Sequence, residues 1–458
     1  MNRKFFFKIV TILGLILGLM IPLGMIDSVV TERSYYRDQA KMSISESWTG
    51  VQKFLGPILI VPYVERYKTK DWDKNLEKYV ENTHWRHRKL YILPESLVIN
   101  GDIVTEERQR GLYSIPVYTS QLQVRGEFNS NQLVELYKSK GSTISWKKPY
   151  LSMMVSDIRG ITEQPLLNWS DKQYEFKSGS NIDEWGNGMH TIIPELSAKK
   201  NQSYQFAFDV NLNGMESVQF SPVGKSTEVR LTANWPHPSF IGRYLPKERN
   251  ITDSNFNSVW KMSSFSSDMP RLVEMCKKGS CKDFVENTFG VSLINTVDIY
   301  QKTDRSVKYA ILFISLTFIV FFLFEIMKNL RLHPMQYLLV GMALTFFYLL
   351  LISLSEHIEF INAYMISTLA SVIVISIYIS AVIKSRIRAT GFATMLSLLY
   401  GMLYVILVSE DNALLMGSVL FFSILTLVMM VTRKLDWYKV TDDLANQAVL
   451  KTNGVTTA

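Results

Sequence analysis

Residues 3–26 read RKFFFKIVTILGLILGLMIPLGMI, and this stretch decides the class of the molecule. A helix that crosses a bilayer needs about 20 apolar residues, because ~30 Å of hydrocarbon is covered at 1.5 Å per residue. The run from Phe5 to Ile26 has that length and follows Arg3 and Lys4. A basic start and an apolar core also describe a cleaved signal peptide. This core is longer than a signal usually carries, however, and no small-x-small cleavage site follows Pro22. An uncleaved anchor is the expectation.

Five more runs of similar length lie downstream, near Val307–Met327, Met335–Leu354, Ile361–Ile383, Ala389–Val408 and Asn412–Val431. Their flanks set an orientation, since Lys and Arg are retained on the cytoplasmic side. Lys8 joins Arg3 and Lys4 at the start, while Lys328, Arg331 and His333 follow the second run. Lys384, Arg386 and Arg388 follow the fourth, and Arg433, Lys434 and Lys439 the sixth. The alternate turns hold only acids, Glu356 with Glu359 and Glu410 with Asp411. Both termini are therefore expected in the cytoplasm and Asp27–Ser306 on the far side. Tyr300, Tyr309, Trp437 and Tyr438 fall where aromatic belts belong. Gly14-x-x-x-Gly18 fits a close helix-packing motif, and ordinary glycine frequency in membrane helices explains it equally well.

The expected organisation is an anchor helix over 1–28, a β-rich domain on the far side over 29–306, a five-helix transmembrane bundle over 307–432 and a cytoplasmic tail over 433–458. The middle segment alternates with period two, as half-buried strands do. Tyr204, Phe206, Phe208, Val210 and Leu212 take turns with polar or small neighbours, and Val229, Leu231, Ala233 and Trp235 repeat the pattern. Further strands are expected at Ile58–Tyr67, Lys89–Leu93, Leu97–Ile99, Tyr150–Val155 and Val291–Tyr300. Asn100-Gly101, Arg110-Gly111, Asn213-Gly214 and Pro222-Val223-Gly224 read as turns. Short helices are expected at Asn131–Ser139 and Asn255–Met262. A sandwich or two stacked lobes would both satisfy this pattern.

Composition narrows function. Of 458 residues, 47% are apolar and 20% charged, which excludes a disordered chain. The net charge of +8 dissolves on division, because Asp27–Ser306 holds 36 Lys and Arg against 33 Asp and Glu. No clustered basic face remains for nucleic acid. Two cysteines exclude a disulfide scaffold. On an oxidising side, Cys276 and Cys281 could close a local disulfide or stay as two thiols in a loop.

The candidate chemistry is sparse. His84, Trp85, Arg86 and His87 lack a carboxylate or Cys partner at metal spacing and read as a solvated loop. In Asn234-Trp235-Pro236-His237-Pro238-Ser239-Phe240, two prolines hold His237 on a rigid turn, where capping of backbone groups is expected. Asp157 and Arg159, two apart after an apolar strand, read as a structural pair. Spans three to six have no Asp, Glu, Lys or Arg in their interiors, against what ion coupling usually needs. Glu325 alone qualifies, and an interfacial pair with Lys328 is its expected role. His333-Pro334 opens the third span, with proline in a first turn. No cofactor or metal site is expected.

The string Arg331-Leu332-His333-Pro334-Met335-Gln336-Tyr337-Leu338-Leu339-Val340-Gly341 is specific. With Phe321-Phe322-Leu323-Phe324-Glu325, the Trp235–His237 turn, Leu354-Ser355-Glu356-His357, Arg305–Leu312 and Gly50-x-x-x-x-x-Gly56-Pro57, it resembles the CreD family of bacterial inner-membrane proteins. The resemblance runs from the first span to about Tyr438. It implies one anchor, a periplasmic domain, a carboxy-terminal bundle, and a part in cell-envelope integrity in Gram-negative bacteria under a sensor kinase and response regulator. It brings no catalytic residues. Trp235, His237, Glu325, His333, Pro334, Gln336, Glu356 and His357 enter as family-motif residues without a role, and the Cys276/Cys281 pair is outside the motif.

The leading expectation is a non-enzymatic inner-membrane protein whose periplasmic domain binds an envelope component or partner. A transporter or lipid-handling bundle is the alternative, and a membrane-tethered periplasmic hydrolase the second. The absence of ionisable groups weighs against transport. The lack of a nucleophile–base motif weighs against hydrolysis.

Overall fold

A computed structural model describes residues 3–73, 78–140, 143–182, 185–194, 196, 201–278, 280–293, 299–327, 332–383, 385–409 and 413–433. Lys328, Arg331, Lys384, Glu410, Asp411, Lys434, Trp437, Tyr438 and Lys439 lie outside these residues, as do the side chains of Arg3 and Lys4. The chain forms two compact units. One comprises Met1–Asp38 with Val297–Ala458, the other Gln39–Thr296.

Helix α1 covers Arg3–Ser47 and is followed by β1 (Gln52–Asp73), β2 (Lys78–Ile92), β3 (Ser96–Arg110) and β4 (Tyr113–Asn129). Next come α2 (Asn131–Lys140), β5 (Ile144–Trp146), β6 (Tyr150–Val155), β7 (Leu166–Trp169), β8 (Lys172–Glu175), β9 (Lys177–Ser178) and β10 (Gly188–Ile192). The strands continue with β11 (Ser203–Met215), β12 (Ser217–Phe220), β13 (Ser226–Ala233), β14 (Ser239–Gly242), β15 (Glu248–Ile251) and β16 (Phe256–Ser263). Three short helices, α3 (Ser264–Ser267), α4 (Met269–Lys277) and α5 (Lys282–Glu286), lead to β17 (Phe289–Ser292). The apolar helices close the order: α6 (Ile299–Met327), α7 (Pro334–Ser355), α8 (Phe360–Ile383), α9 (Arg386–Val408) and α10 (Ala413–Thr432).

In the β unit the period-two pattern becomes burial. Along β11, Tyr204, Phe206, Phe208, Val210 and Leu212 are buried while Ser203, Gln205 and Asp209 are exposed. This strand lies in an eight-stranded sheet ordered β15-β16-β13-β3-β4-β11-β7-β8. The second sheet has nine strands, ordered β14-β17-β12-β1-β6-β10-β9, with β2 and β5 also on β1. Ile58 and Ile60 from one sheet share a single hydrophobic cluster with Ile99, Val124 and Phe208 from the other. The two sheets thus share one core.

Several expectations change here. Asn255–Met262 is not a helix but most of β16, because Phe256, Ser258 and Trp260 alternate inward with period two. Asn100-Gly101 and Asn213-Gly214 are not turns; both glycines lie inside strands. A Cβ on Gly214 would come within 2.2 Å of the Tyr118 ring, and one on Gly101 within 2.6 Å of Leu231. These glycines make room for a neighbour. Gly111, at φ +63°, does turn the chain between β3 and β4. The His84–His87 cluster sits in β2, not a loop. Strand β17 ends at Ser292, and Ile299 already begins α6.

Among the described residues, five helices are long and apolar enough to cross a membrane: Phe6–Ser47, Ile299–Ile326, Pro334–Ser355, Phe360–Val382 and Arg386–Val408. The sixth apolar run is helical as α10, but its apolar portion, Leu415–Met430, is shorter. The carboxy-terminal part thus contributes four such helices and one shorter. Helix α1 continues 21 residues past Ile26 to Ser47, since Asp27–Ser47 contains no Gly or Pro to stop it. Among the described residues nothing lies within 4 Å of a Cβ on Gly14 or Gly18, so of the two readings of that spacing no close helix approach within the chain is seen there. It occurs at Gly341 instead, where a Cβ would meet Leu19 of α1 at 2.3 Å and Phe318 of α6 at 2.9 Å.

Candidate functional site

The family-motif residues of the apolar helices gather in two polar clusters within the membrane unit. The first surrounds Glu325, 5% exposed near the end of α6. Its carboxylate pairs with Lys8 Nζ of α1. The Tyr337 hydroxyl donates to Oε2 at 2.9 Å, and the Leu332 N–H donates to Oε1 at 3.0 Å. Lys8 also donates to the Leu332 carbonyl at 3.4 Å. The expected partner, Lys328, lies outside the described residues, and the observed one is 317 positions away. Three donors converge on the carboxylate, which ties α1, α6 and α7 together.

The rest of that motif starts α7. His333 is the N-cap, and its Nδ1 accepts from the Met335 N–H at 3.2 Å. Gln336 Oε1 accepts from the His333 N–H at 3.1 Å, which completes a capping box. Pro334 occupies the first turn, where its missing N–H costs nothing. These roles are architectural.

The second cluster lies at the far end of α7. Glu356, its side chain 8% exposed, receives Arg33 Nε of α1 at 3.5 Å and the Tyr300 hydroxyl at 3.4 Å. Arg37 lies 5.7 Å over the Tyr300 ring. His357 turns back, with Nδ1 3.1 Å from the Ser353 carbonyl. Along α1 about 37 Å of helix separates Lys8 from Arg33 at 1.5 Å per residue, close to the hydrocarbon thickness plus its borders. One carboxylate at each end therefore holds the anchor helix in its bundle. Sequence reading missed Lys8, Arg33, Tyr300 and Tyr337 as partners, although cations set in or beside an apolar run were a usable signal.

Two apolar grooves flank α9. One of about 770 Å³ opens between α9 and α10, lined by Leu398, Met402, Leu415 and Val419 among others. Another of about 540 Å³ opens toward α8, past Met365, Leu369 and Tyr404. Ser397 and Gly401 border both.

The β unit gathers its motif residues elsewhere. Trp235 is buried, and its Nε1 donates to the His237 carbonyl at 3.0 Å. The His237 imidazole is exposed, so the expected cap is made by the main chain, with tryptophan as donor. Asn234 Oδ1 accepts from the Thr105 N–H at 2.7 Å and ties the turn to β3. Asp157 and Arg159 are not on a strand but on a 3-10 turn, Ile158–Gly160. Arg159 grips Asp157 with two nitrogens, at 2.9 and 2.6 Å, and donates to the Glu46 and Ser45 carbonyls at 2.7 and 3.2 Å. It thereby caps the last turn of α1 with a cation. The Arg159 guanidinium holds the Asp157 carboxyl below its usual range, and Asp157 raises Arg159 in return. Cys276 and Cys281 form a disulfide between α4 and α5, packed on the core. Among the described residues no three His, Cys, Asp or Glu side chains group as a metal site.

The family described as Inner membrane protein CreD matches residues 4–438. The Inner membrane protein CreD of Escherichia coli (strain K12) is 37% identical over 440 residues, covering 96% of this chain and 95% of the relative. Among solved structures, an M1 zinc metallopeptidase from Deinococcus radiodurans aligns at 7% identity over 37% of this chain and 39% of the other, with a TM-score of 0.19. That likeness is too slight to carry an argument. Matched over nearly its whole length by a family of multi-pass inner-membrane proteins, the chain belongs to the CreD family.

Proposed function

We propose that this protein is a non-enzymatic component of the bacterial envelope, with both termini cytoplasmic and the β unit periplasmic. There the β unit binds an envelope component or partner protein and supports envelope integrity. The observation that carries this reading is a two-sheet β unit with a bridged cysteine pair, in a chain whose apolar helices have Lys and Arg in alternate loops. A disulfide suits an oxidising compartment. The pairing of Glu325 and Glu356 with cations of α1 supports a scaffold role for the helices.

Single cysteines at exposed Asn250 and Ile387, treated with an impermeant maleimide in intact cells, test the placement. The bridged native pair does not compete. Asn250→Cys should label and Ile387→Cys should not; the reverse would overturn the orientation. Crosslinking from the β unit in cells then identifies what it holds. A second reading, lipid handling by the bundle, draws on the two grooves beside α9. It gains if Gly401→Phe abolishes complementation of a deletion strain while the chain stays folded and abundant.

A further inference from the structure

The β1–β2 hairpin outruns its sheet. Strand β6 pairs with β1 only as far as Ile60, and β5 only at Tyr63–Glu65. From Arg66 to Asp73, β1 pairs with β2 alone. Such a ribbon reaches about 26 Å at ~3.3 Å per residue and has no core beneath either face.

The faces differ in chemistry. On one, Tyr67 stacks on His84 with ring centres 5.4 Å apart, and Arg86 lies 5.0 Å over Tyr67. Arg88 pairs with Glu65 at 3.1 Å, and Thr69 and Asn82 each bond Asp71 at 2.9 Å. That face satisfies itself. On the other, the register sets Arg66 opposite Trp85, Lys68 opposite Thr83, Lys70 opposite Glu81, and Trp72 opposite Tyr79. Arg66, Lys68 and Lys70 are exposed, and Trp72, Tyr79 and Trp85 are 53%, 68% and 63% exposed. The single acid there, Glu81, is held by Lys68 at 2.8 Å.

We infer that this open face docks on an anionic phospholipid surface. Trp and Tyr rings settle at headgroup depth, apolar body inward and polar edge outward. Lys and Arg near an anionic leaflet each add roughly fivefold to its binding. With Lys68 held by Glu81, the face keeps a net excess of two cations beside three exposed rings, which suits an anionic surface. The inference rests on the proposed function and names lipid as the envelope component.

The test uses the full-length protein with Thr83→Cys, on the open face, carrying an environment-sensitive fluorophore. Asn82→Cys reports the opposite face. The chain is reconstituted in phosphatidylcholine vesicles, with or without phosphatidylglycerol, and with brominated lipid as quencher. The Thr83 probe should shift to the blue and be quenched only with phosphatidylglycerol, and high salt should reverse it. The Asn82 probe should stay unquenched. Arg66→Gln with Lys70→Gln should lower the preference for anionic lipid roughly 25-fold. No response in either lipid, or equal response in both, overturns the docking. So does a response that requires added peptidoglycan, which would assign the face to a polymer. Placement of the β unit is read separately at Asn250→Cys, so a failure of the docking and a failure of the placement are told apart.

Discussion

Replacing Glu325 by leucine should unsettle the membrane unit by an amount the geometry bounds. The substitution removes one acceptor for three donors. The Tyr337 hydroxyl and the Leu332 N–H would both stay in an apolar interior, and an orphaned buried donor costs ~1–3 kcal/mol. Lys8 is less confined, since its side chain is 30% exposed. Its ammonium can stretch toward water, so its share is discounted to about 1 kcal/mol. The expected loss is ~3–7 kcal/mol, which overlaps the range for breaking a buried pair by removing one partner. Replacing the partners as well should restore most of it, because apolar groups of similar size need no donors. Purified full-length protein, unfolded with dodecyl sulfate in mixed micelles, supplies the comparison. Glu325→Leu should lose stability, and the combination with Lys8→Met and Tyr337→Phe should return to within ~1–3 kcal/mol, the remainder being the Leu332 N–H. The reasoning fails if the single variant matches the parent, or if the combined variant is no better than the single one. A Glu325→Leu chain that stays stable yet cannot complement a deletion strain would make the carboxylate a working part of the bundle.

Three further outcomes are expected. Gly214→Ala pushes a methyl into the Tyr118 ring, which cannot swing away because its hydroxyl donates to the Ser217 carbonyl at 2.9 Å. A loss of ~1–3 kcal/mol should appear as a lower midpoint in thermal unfolding of the β unit. Asp157, depressed by Arg159, stabilises the fold above the unfolded carboxylate value near pH ~4 and loses that contribution as pH falls through its lower folded value. Acid titration followed by tryptophan fluorescence should show that drop, and Asp157→Asn should flatten it. His237→Ala should change stability by less than ~0.5 kcal/mol, because the exposed imidazole is not what the turn uses. A large loss by thermal melt would contradict this.

What could be read from residues alone was whatever depends on near neighbours. The apolar runs announce their helices because length against hydrocarbon is a local quantity. The alternation at Tyr204–Leu212 announces β11 because one face is buried along the whole strand. Asn213-Gly214 misleads because turn chemistry and room for Tyr118 both call for glycine, and only the register with β4 separates them. Asn255–Met262 misleads because its inward residues include Ser258, a polar side chain in a core position. The Glu325 site was half legible. A carboxylate in an apolar helix is a signal, but its partner on α1 is a matter of packing, and local spacing pointed to Lys328 instead. The capping box at His333 could have been found, since Gln336 stands three residues on.

The central place of β1 bears on the order in which this protein can be made. It is the first strand synthesised, yet its parallel neighbour β12 begins at Ser217, and the strand beyond that, β17, ends at Ser292. Leu59–Asp73 can pair with β2 at once, but Phe54–Ile60 must wait for β6 at residues 150–155, and Gln52–Phe54 for β12. Pairings this distant in sequence close slowly, because the entropy of the intervening loop is lost before the contacts form. A nascent chain halted before β12 would leave the Gln52–Phe54 edge of β1 without its parallel partner, the kind of edge that other chains can add to. Timely delivery of residues 217–292 is thus as much a condition for a sound β unit as the stability of the finished core.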